Sequence, residues 1–101
     1  MIVIAAEGPV RPEGWEALRA TLSRHAETSR AEAGCIDYRF SVDIDDPHLI
    51  RLFECWEDQA SLDAHLAAPH SAAFGTTIGP SLAGPLELTR YEVSSHGPMD
   101  V

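Results

Sequence analysis

Two histidines five residues apart, His65 and His70, are the side chains of this sequence best suited to move a proton. An imidazole has an unperturbed pKa of about 6.5, so it exchanges a proton near neutral pH. Two other roles stay open: His65 as a core histidine hydrogen-bonded to backbone, and His70 as a partly exposed residue at a helix start. Pro69 separates the pair, their spacing is not the i, i+4 spacing of helical metal ligands, and no third ligand is evident. The sequence therefore predicts no metal site.

Two aromatic residues and one carboxylate are candidates for a binding site near these histidines. The flat, rigid side chain of Trp56 suits stacking on an aromatic ligand, and Tyr38 offers a phenol; core packing is the competing role for both. Glu54 lies two residues before Trp56 on the same face of a predicted strand, where a buried carboxylate must be paired or protonated. We expect Glu54 to orient His65 or Arg39, or to reach across a dimer interface.

Charge and composition narrow the range of partners. The net charge is −9, and the 7 basic residues, all arginine, are scattered along the chain. Nucleic acid is disfavoured because phosphate binding needs clustered basic residues. No apolar run approaches the roughly 20 residues that span a bilayer, and residues 1–10 lack the basic segment of a secretory signal. We expect a cytoplasmic protein that binds neither nucleic acid nor membrane.

Cofactor-binding motifs are missing from the sequence. It contains no glycine-rich dinucleotide or phosphate loop, no HExxH, no GxSxG and no CxxCH. We therefore predict no flavin, nicotinamide or covalently attached haem, and any catalysis must use side chains and the reactivity of the substrate itself.

The pattern of apolar residues and turn signals predicts strands and helices in the order βαββααβ, with the two short helices acting as one helical segment. Gly8-Pro9, Gly34, the turn at 45–48 and Pro69 separate the elements. The predicted elements are strands 2–8, 35–44, 49–56 and 86–93, a helix of about 18–20 residues from Trp15, a helix ending at Ala67 with Asp58 as its N-cap, and a helix after Pro69.

Periodicity also predicts which faces are buried. The long helix has an apolar stripe that includes Leu18, Leu22 and Ala26 and continues to Ser29 or Ala33, while His25 is expected at the surface. The stripe of the next helix is predicted at Leu62, His65 and Leu66. The strand 35–44 alternates, so its core face is predicted at Ile36, Tyr38, Phe40, Val42 and Ile44.

The strand 49–56 is apolar on both faces, which predicts that both faces are covered. The helices of this chain can cover one face, and a chain of 101 residues has nothing left for the other. A second subunit is the natural cover, so the pattern predicts a homodimer. Cys35 and Cys55 flank the predicted hairpin; without a CxxC pair or export signal we expect two small buried thiols rather than a disulfide.

These elements predict one α+β domain over residues 1–93, followed by a flexible tail at 94–101. The expected architecture is ferredoxin-like, a βαββαβ arrangement with an antiparallel sheet and helices on one face.

Four short segments resemble the antibiotic biosynthesis monooxygenase (ABM) family: GCIDY at 34–38, FECWED at 53–58, LDAHL at 62–66 and PH at 69–70. The most specific part is E-x-W with a histidine nine residues after the Trp. The resemblance implies a dimeric α/β barrel, and a cofactor-free oxygenase that oxidises small hydroquinones or anthrones with molecular oxygen.

The resemblance further implies roles for six residues. His65, or a water held by it, would be the catalytic base that accepts a proton from a phenolic substrate. The anion would then reduce oxygen directly. Trp56, Tyr38 and Phe74 would wall the ring system, and we place His70 and Glu54 with the substrate-binding residues.

Haem degradation, isomerisation and non-catalytic binding are the alternatives to this function. Haem-degrading members carry Trp where His65 lies, an axial histidine near Gly75, and an Asn near Ala6 or Glu7, so the resemblance argues against haem. An isomerase or tautomerase of a small metabolite would use the same base without oxygen. A non-catalytic dimer that binds an aromatic metabolite fits the lack of a complete triad or cofactor loop.

Overall fold

The computed structural model describes residues 1–100; Val101, the last residue of the predicted tail, lies outside the described residues. Strands and helices follow the predicted order, and a 3-10 turn over Gly79–Ser81 follows the last helix. Their bounds are β1 Ile2–Pro9, α1 Trp15–Arg30, β2 Cys35–Val42, β3 Leu49–Trp56, α2 Gln59–Ala67, α3 Pro69–Ile78 and β4 Glu87–Glu92.

The four strands form one antiparallel sheet in the order β2-β3-β1-β4. The first and third strands of the chain are therefore neighbours at the centre, and the remaining strands form the edges. The predicted ferredoxin-like α+β fold is confirmed.

The core lies between the helices and one face of the sheet. Burial alternates along β1, where Ile2, Ile4 and Ala6 are buried and the residues between them are half-exposed. Because side chains alternate along a strand, β1 turns its apolar set to the helices. The cross-strand partners of Ile2 and Ile4 on β3 are Trp56 and Glu54, which places these two side chains on the same inner face.

The long helix is shorter than predicted and ends at Arg30. Beyond it, the backbone N–H groups of Ala31 and Glu32 donate to the carbonyls of Thr28 and Ser29, three residues back. Such i to i−3 bonds tighten and end an α-helix, so Gly34 lies beyond the end of α1. Ser29 continues the buried stripe, whereas Ala33 is exposed.

The predicted core face of the strand 35–44 is wrong at Ile36, Val42 and Ile44, whose side chains are exposed. Ile36 is exposed because a register shift between Cys35 and Asp37 makes Cys35 the residue that packs on the core. Ile44 is also exposed, since β2 ends at Val42, itself half-exposed, and the turn begins where the Asp43 carboxylate accepts from the backbone of Asp45.

The short helix α2 begins as predicted, with the Asp58 carboxylate accepting from the backbone N–H of Ser61. Its buried face is narrower than predicted, however. Leu62 and His65 are buried, while Leu66 is 64% exposed.

The other face of the sheet carries no helix within the described chain. It presents Phe53 at 44% and Tyr91 at 52% exposure. Cys55 belongs to this face and Cys35 to the helix face, so the two free thiols are on opposite sides of the sheet. After Val93, residues 94–100 form no helix or strand. No helix within residues 1–100 has the length and apolarity needed to cross a membrane.

Gly34 lies in the turn after α1, where Ser61 of α2 packs closely against its backbone. Its φ is +81°, and a Cβ there would lie 2.0 Å from Ser61 Oγ, so Gly34→Ala adds backbone strain to a steric clash. We expect a loss of about 2–5 kcal/mol in the free energy of unfolding, measured by urea denaturation. Gly14→Ala is the first control: its φ is +76° and no atom lies within 4 Å of the added Cβ, so it carries the backbone strain alone. Gly75→Ala, within α3, is the second control and should raise the free energy of unfolding slightly. Equal losses of stability in Gly34→Ala and Gly14→Ala would contradict the packing of α2 on this turn.

Candidate functional site

Polar and aromatic side chains from five parts of the chain meet between the helices and the inner face of the sheet. We call them the central cluster. It is drawn from α1, the turn after α1, the strands β2 and β3, and the hairpin of α2 and α3. Its members are His25, Glu32, Tyr38, Glu54, Trp56, His65, His70 and Phe74.

His65 is at the centre of the cluster and is only 3% exposed. Its Nδ1 lies 2.6 Å from Glu32 Oε2. A carboxylate oxygen only accepts, so Nδ1 carries the proton and donates it to Glu32. In the neutral imidazole this leaves Nε2 unprotonated, with Glu54 Oε1 4.0 Å away, beyond hydrogen-bond distance. His65 therefore has one nitrogen fixed by a carboxylate and one free to accept a proton.

Glu54 is held by its neighbour on the same strand face. The Trp56 indole Nε1–H donates to Glu54 Oε1 at 3.0 Å, and both residues are buried. Burial raises the pKa of the Glu54 carboxyl, and this hydrogen bond and the nearby His65 partly oppose the rise. The predicted alternative partner, Arg39, instead pairs with Asp37, and Glu32 takes the orienting role expected of Glu54.

A second hydrogen-bonded pair, His25 and Tyr38, borders His65. Tyr38 Oη lies 3.1 Å from His25 Nε2. Burial, assisted by the charge of Glu54, raises the pKa of the Tyr38 phenol. Burial, and then the neighbouring His65 and His70, lower the pKa of His25 to about 4. At neutral pH the phenol is therefore the donor and a neutral His25 imidazole the acceptor.

Aromatic rings enclose the histidines. Phe74 stacks on His25 with ring centroids 3.7 Å apart and planes within 2°. Trp56 and Tyr38 contact His65 with centroid distances of 4.7 and 5.4 Å. Such close packing explains why His65 has almost no exposed surface.

His70 and Glu32 form the exposed edge of the cluster. Their side chains are 29% and 20% exposed, against 4% for His65. His70 Nε2 lies 3.3 Å from Glu32 Oε2, but this contact lacks hydrogen-bond geometry, and neither ring nitrogen of His70 has a hydrogen-bond partner among the described residues.

All six residues named from the sequence lie in this one cluster: His65, Trp56, Tyr38, Phe74, His70 and Glu54. Two further members were missed. His25 was predicted at the surface, which is wrong: it is 7% exposed. The signal was present, because His25 follows Leu22 by three positions and precedes Ser29 by four, within the buried stripe. Glu32 gave no local signal, since it acts on a residue 33 positions away.

A cavity of about 300 Å³ lies elsewhere, between α1 and β2. Trp15 and Phe40 contribute aromatic walls, and Arg19, Arg30 and Arg39 contribute positive charge. None of the central cluster lines it. A ligand in this cavity would therefore not touch His65.

Comparison with known proteins identifies the family to which this chain belongs. A family model described as "Antibiotic biosynthesis monooxygenase" matches residues 1–76. The chain belongs to the antibiotic biosynthesis monooxygenase family. The matched segment includes every residue of the central cluster, and the resemblance inferred from the four short segments is confirmed.

Several known proteins are similar to most of this chain in sequence or in fold. Over 93 residues the chain is 33% identical to protein sll1783 of Synechocystis sp., a match that covers 92% of this chain but 63% of that protein. It is 32% identical over 88 residues to "Putative monooxygenase Rv0793" of Mycobacterium tuberculosis, covering 87% and 86%. The structure of Rv0793 matches with a TM-score of 0.86 at 28% identity, covering 96% and 98%. A Deinococcus radiodurans family member matches with a TM-score of 0.91 over both whole chains, and its 24% identity supports the fold alone.

The lowered pKa of His25 predicts an acid-sensitive stability in this family member. Between pH 6.5 and about 4, His25 is protonated in the unfolded state but neutral in the folded state. The free energy of unfolding is therefore greatest above pH 6.5 and falls as the pH decreases. The loss is on the order of 3 kcal/mol. In urea denaturation across this range, His25→Gln should show a flatter profile than the native protein.

Glu54 contributes with the opposite sign, because its raised pKa favours proton uptake by the folded state. It is present in both proteins, so the difference between their profiles isolates His25. His96→Gln, a change at an exposed residue, serves as the control and should keep the native profile. Parallel profiles for His25→Gln and the native protein would contradict the burial of a neutral His25.

Proposed function

We propose that this chain is a cofactor-independent monooxygenase that oxidises a small quinol or phenol with molecular oxygen, with His65 as the general base. Membership of the family, with relatives named as monooxygenases, supports a monooxygenase-like function at that level. The observation that carries the finer proposal is the 2.6 Å contact between His65 Nδ1 and Glu32 Oε2. It leaves Nε2 unprotonated on an imidazole that Trp56 and Tyr38 contact, so the base is held in one orientation beside aromatic rings.

The chemistry needs one proton acceptor and a dry site. Nε2 removes the phenolic proton, and the resulting anion is electron-rich enough to transfer electrons to O₂. A carbon–oxygen bond forms, the O–O bond breaks, and the second oxygen atom leaves as water. In an anthrone-type substrate the oxidised CH₂ becomes a carbonyl and supplies both hydrogens of that water. Glu32 and Glu54 stabilise the imidazolium that forms on His65.

Substrate access defines the remaining roles. His65 is enclosed, so a substrate reaches Nε2 only by displacing part of the surrounding packing. We propose that this displacement starts at the exposed edge formed by Glu32 and His70, and its exposure supports a substrate-binding role for His70. Trp56, Tyr38 and Phe74 then supply flat surfaces for an aromatic ring.

Oxygen uptake with a panel of quinols and anthrones, in the presence of EDTA, tests the proposal. We expect His65→Ala to lower kcat by about 10²–10⁴-fold, because a general base contributes on this scale. Glu32→Gln should give a smaller loss, since it weakens orientation and charge stabilisation but keeps the imidazole. His48→Ala, in the exposed β2–β3 turn, is the matched control and should retain native activity.

Two outcomes would defeat this assignment: equal uptake by native protein and His65→Ala, or uptake by neither across the panel. Turnover that continues without oxygen would instead identify an isomerase or tautomerase, which uses the same base. The anaerobic arm therefore separates the two reaction classes.

We also propose that the active form is a homodimer joined through the helix-free face of the sheet. That face exposes Phe53 and Tyr91, and Arg51 pairs with Glu7 and Asp43 at its border. An apolar area with a charged border is typical of a protein interface.

A change of charge at Phe53 tests the dimer. Phe53→Glu places a carboxylate in the centre of the proposed interface, so we expect a monomer by light scattering after size-exclusion chromatography at a concentration where the native protein is a dimer. Ile44→Glu, at a 97% exposed turn residue, should remain dimeric. A monomeric native protein, or a dimeric Phe53→Glu, would contradict this interface.

A further inference from the structure

Three side chains that can bind a metal ion meet where the exposed edge of the central cluster joins buried His65. One ligand atom each from Glu32, His65 and His70 lies within 4.8 Å of the other two. Glu32 Oε2 is 2.6 Å from His65 Nδ1 and 3.3 Å from His70 Nε2. We propose that Glu32, His65 and His70 form a binding site for a divalent transition-metal ion of the Zn²⁺ class.

The spacing of the donor atoms fits such an ion. Ligands about 2.0–2.2 Å from one zinc ion lie roughly 3–3.5 Å from each other. The Glu32–His70 distance is in this range. The shorter Glu32–His65 distance is that of a hydrogen bond, and it lengthens by a few tenths of an ångström when a metal ion replaces the shared proton. Two imidazoles and one carboxylate also leave coordination positions open for water.

His70 supplies the second observation. Both of its ring nitrogens are shielded from solvent, yet within residues 1–100 neither has a hydrogen-bond partner. A shielded polar group without a partner costs free energy, and a ligand at Nε2 removes that cost. The His70 side chain is 29% exposed, so the site lies next to solvent and a small movement of the ring is enough to admit an ion to the shielded nitrogen.

Glu54 completes the arrangement behind His65. A metal ion on Nδ1 forces the His65 proton onto Nε2, which faces Glu54 Oε1 at 4.0 Å. Metal-binding histidines usually donate their other N–H to a carboxylate, so a small movement of either side chain forms that bond. The positions of Glu32 and Glu54 on opposite sides of one imidazole serve this metal-bound tautomer as well as the metal-free one.

The metal-bound state and the base are alternatives at one residue. The base requires a proton on Nδ1 and a lone pair on Nε2, and the metal requires the reverse. Metal binding can be measured without measuring turnover. The outcome of the binding experiment therefore does not depend on whether the oxygenase proposal is correct.

Metal-depleted full-length protein is titrated with Zn²⁺ in a calorimeter. We expect one ion per chain for the native protein, and an affinity at least tenfold lower for His70→Ala. The ring nitrogens of His70 have no hydrogen-bond partner within residues 1–100, so this variant should fold normally, as circular dichroism will show. The matched control is the double variant His48→Ala/His96→Ala, which removes two exposed histidines and should bind as the native protein does.

Nitrogen-15 NMR of the histidine side chains locates the ion. On adding Zn²⁺ we expect His65 to change from the Nδ1–H to the Nε2–H tautomer. The absence of saturable Zn²⁺ binding, an unchanged affinity in His70→Ala, or binding without a tautomer change at His65 would each overturn the site.

Discussion

The buried contact between Glu32 and His65 joins two parts of the fold that have no backbone connection nearby. Glu32 lies in the turn that ends α1, and His65 lies on α2, 33 residues later. Because the imidazole is almost fully enclosed, its orientation depends on this single 2.6 Å hydrogen bond and on the rings around it. The early end of α1 matters for the same reason: the tight turn after Arg30 is what places Glu32 beside α2.

Burial of polar groups lowers the free energy of unfolding unless those groups are paired. A domain of 101 residues has a small apolar core to offset such a loss, so pairing within the cluster matters. The pairing is nearly complete: the Trp56 indole holds Glu54, the Tyr38 phenol holds His25, and Glu32 holds His65. The shifts in pKa express the remaining cost, because burial pushes the groups toward their neutral forms: Glu54 and Tyr38 upward, His25 downward. Tyr38 and His25 are therefore neutral at neutral pH, so they surround His65 with hydrogen-bonded groups that carry no charge of their own.

Periodicity predicted the elements and most of the inward-facing residues, because the faces of helices and strands follow from spacing alone. It placed His65, Tyr38, Glu54 and Trp56 on covered faces, and the family resemblance grouped His65, Tyr38 and Trp56 around one pocket. The structure shows all four residues in one cluster. It failed where a backbone irregularity or a tertiary contact decides. The register shift beside Cys35 turned Ile36 outward, and no pattern near Glu32 reveals a partner 33 residues away. For the same reason, the sequence does not reveal Glu32 as a third ligand beside His65 and His70 in the proposed metal site.

Exposure within the cluster sets a direction for whatever binds there. It rises from 4% at His65 to 20% at Glu32 and 29% at His70. A proton that reaches His65 from the interior has Glu32 as its path to solvent, and an ion from solvent meets His70 and Glu32 before His65. Under the two proposals, the proton and the metal ion use the same edge and compete for the same nitrogen of His65, Nδ1. The tautomer of His65, which Glu32 controls, decides whether the inner nitrogen is a proton acceptor or a donor to Glu54.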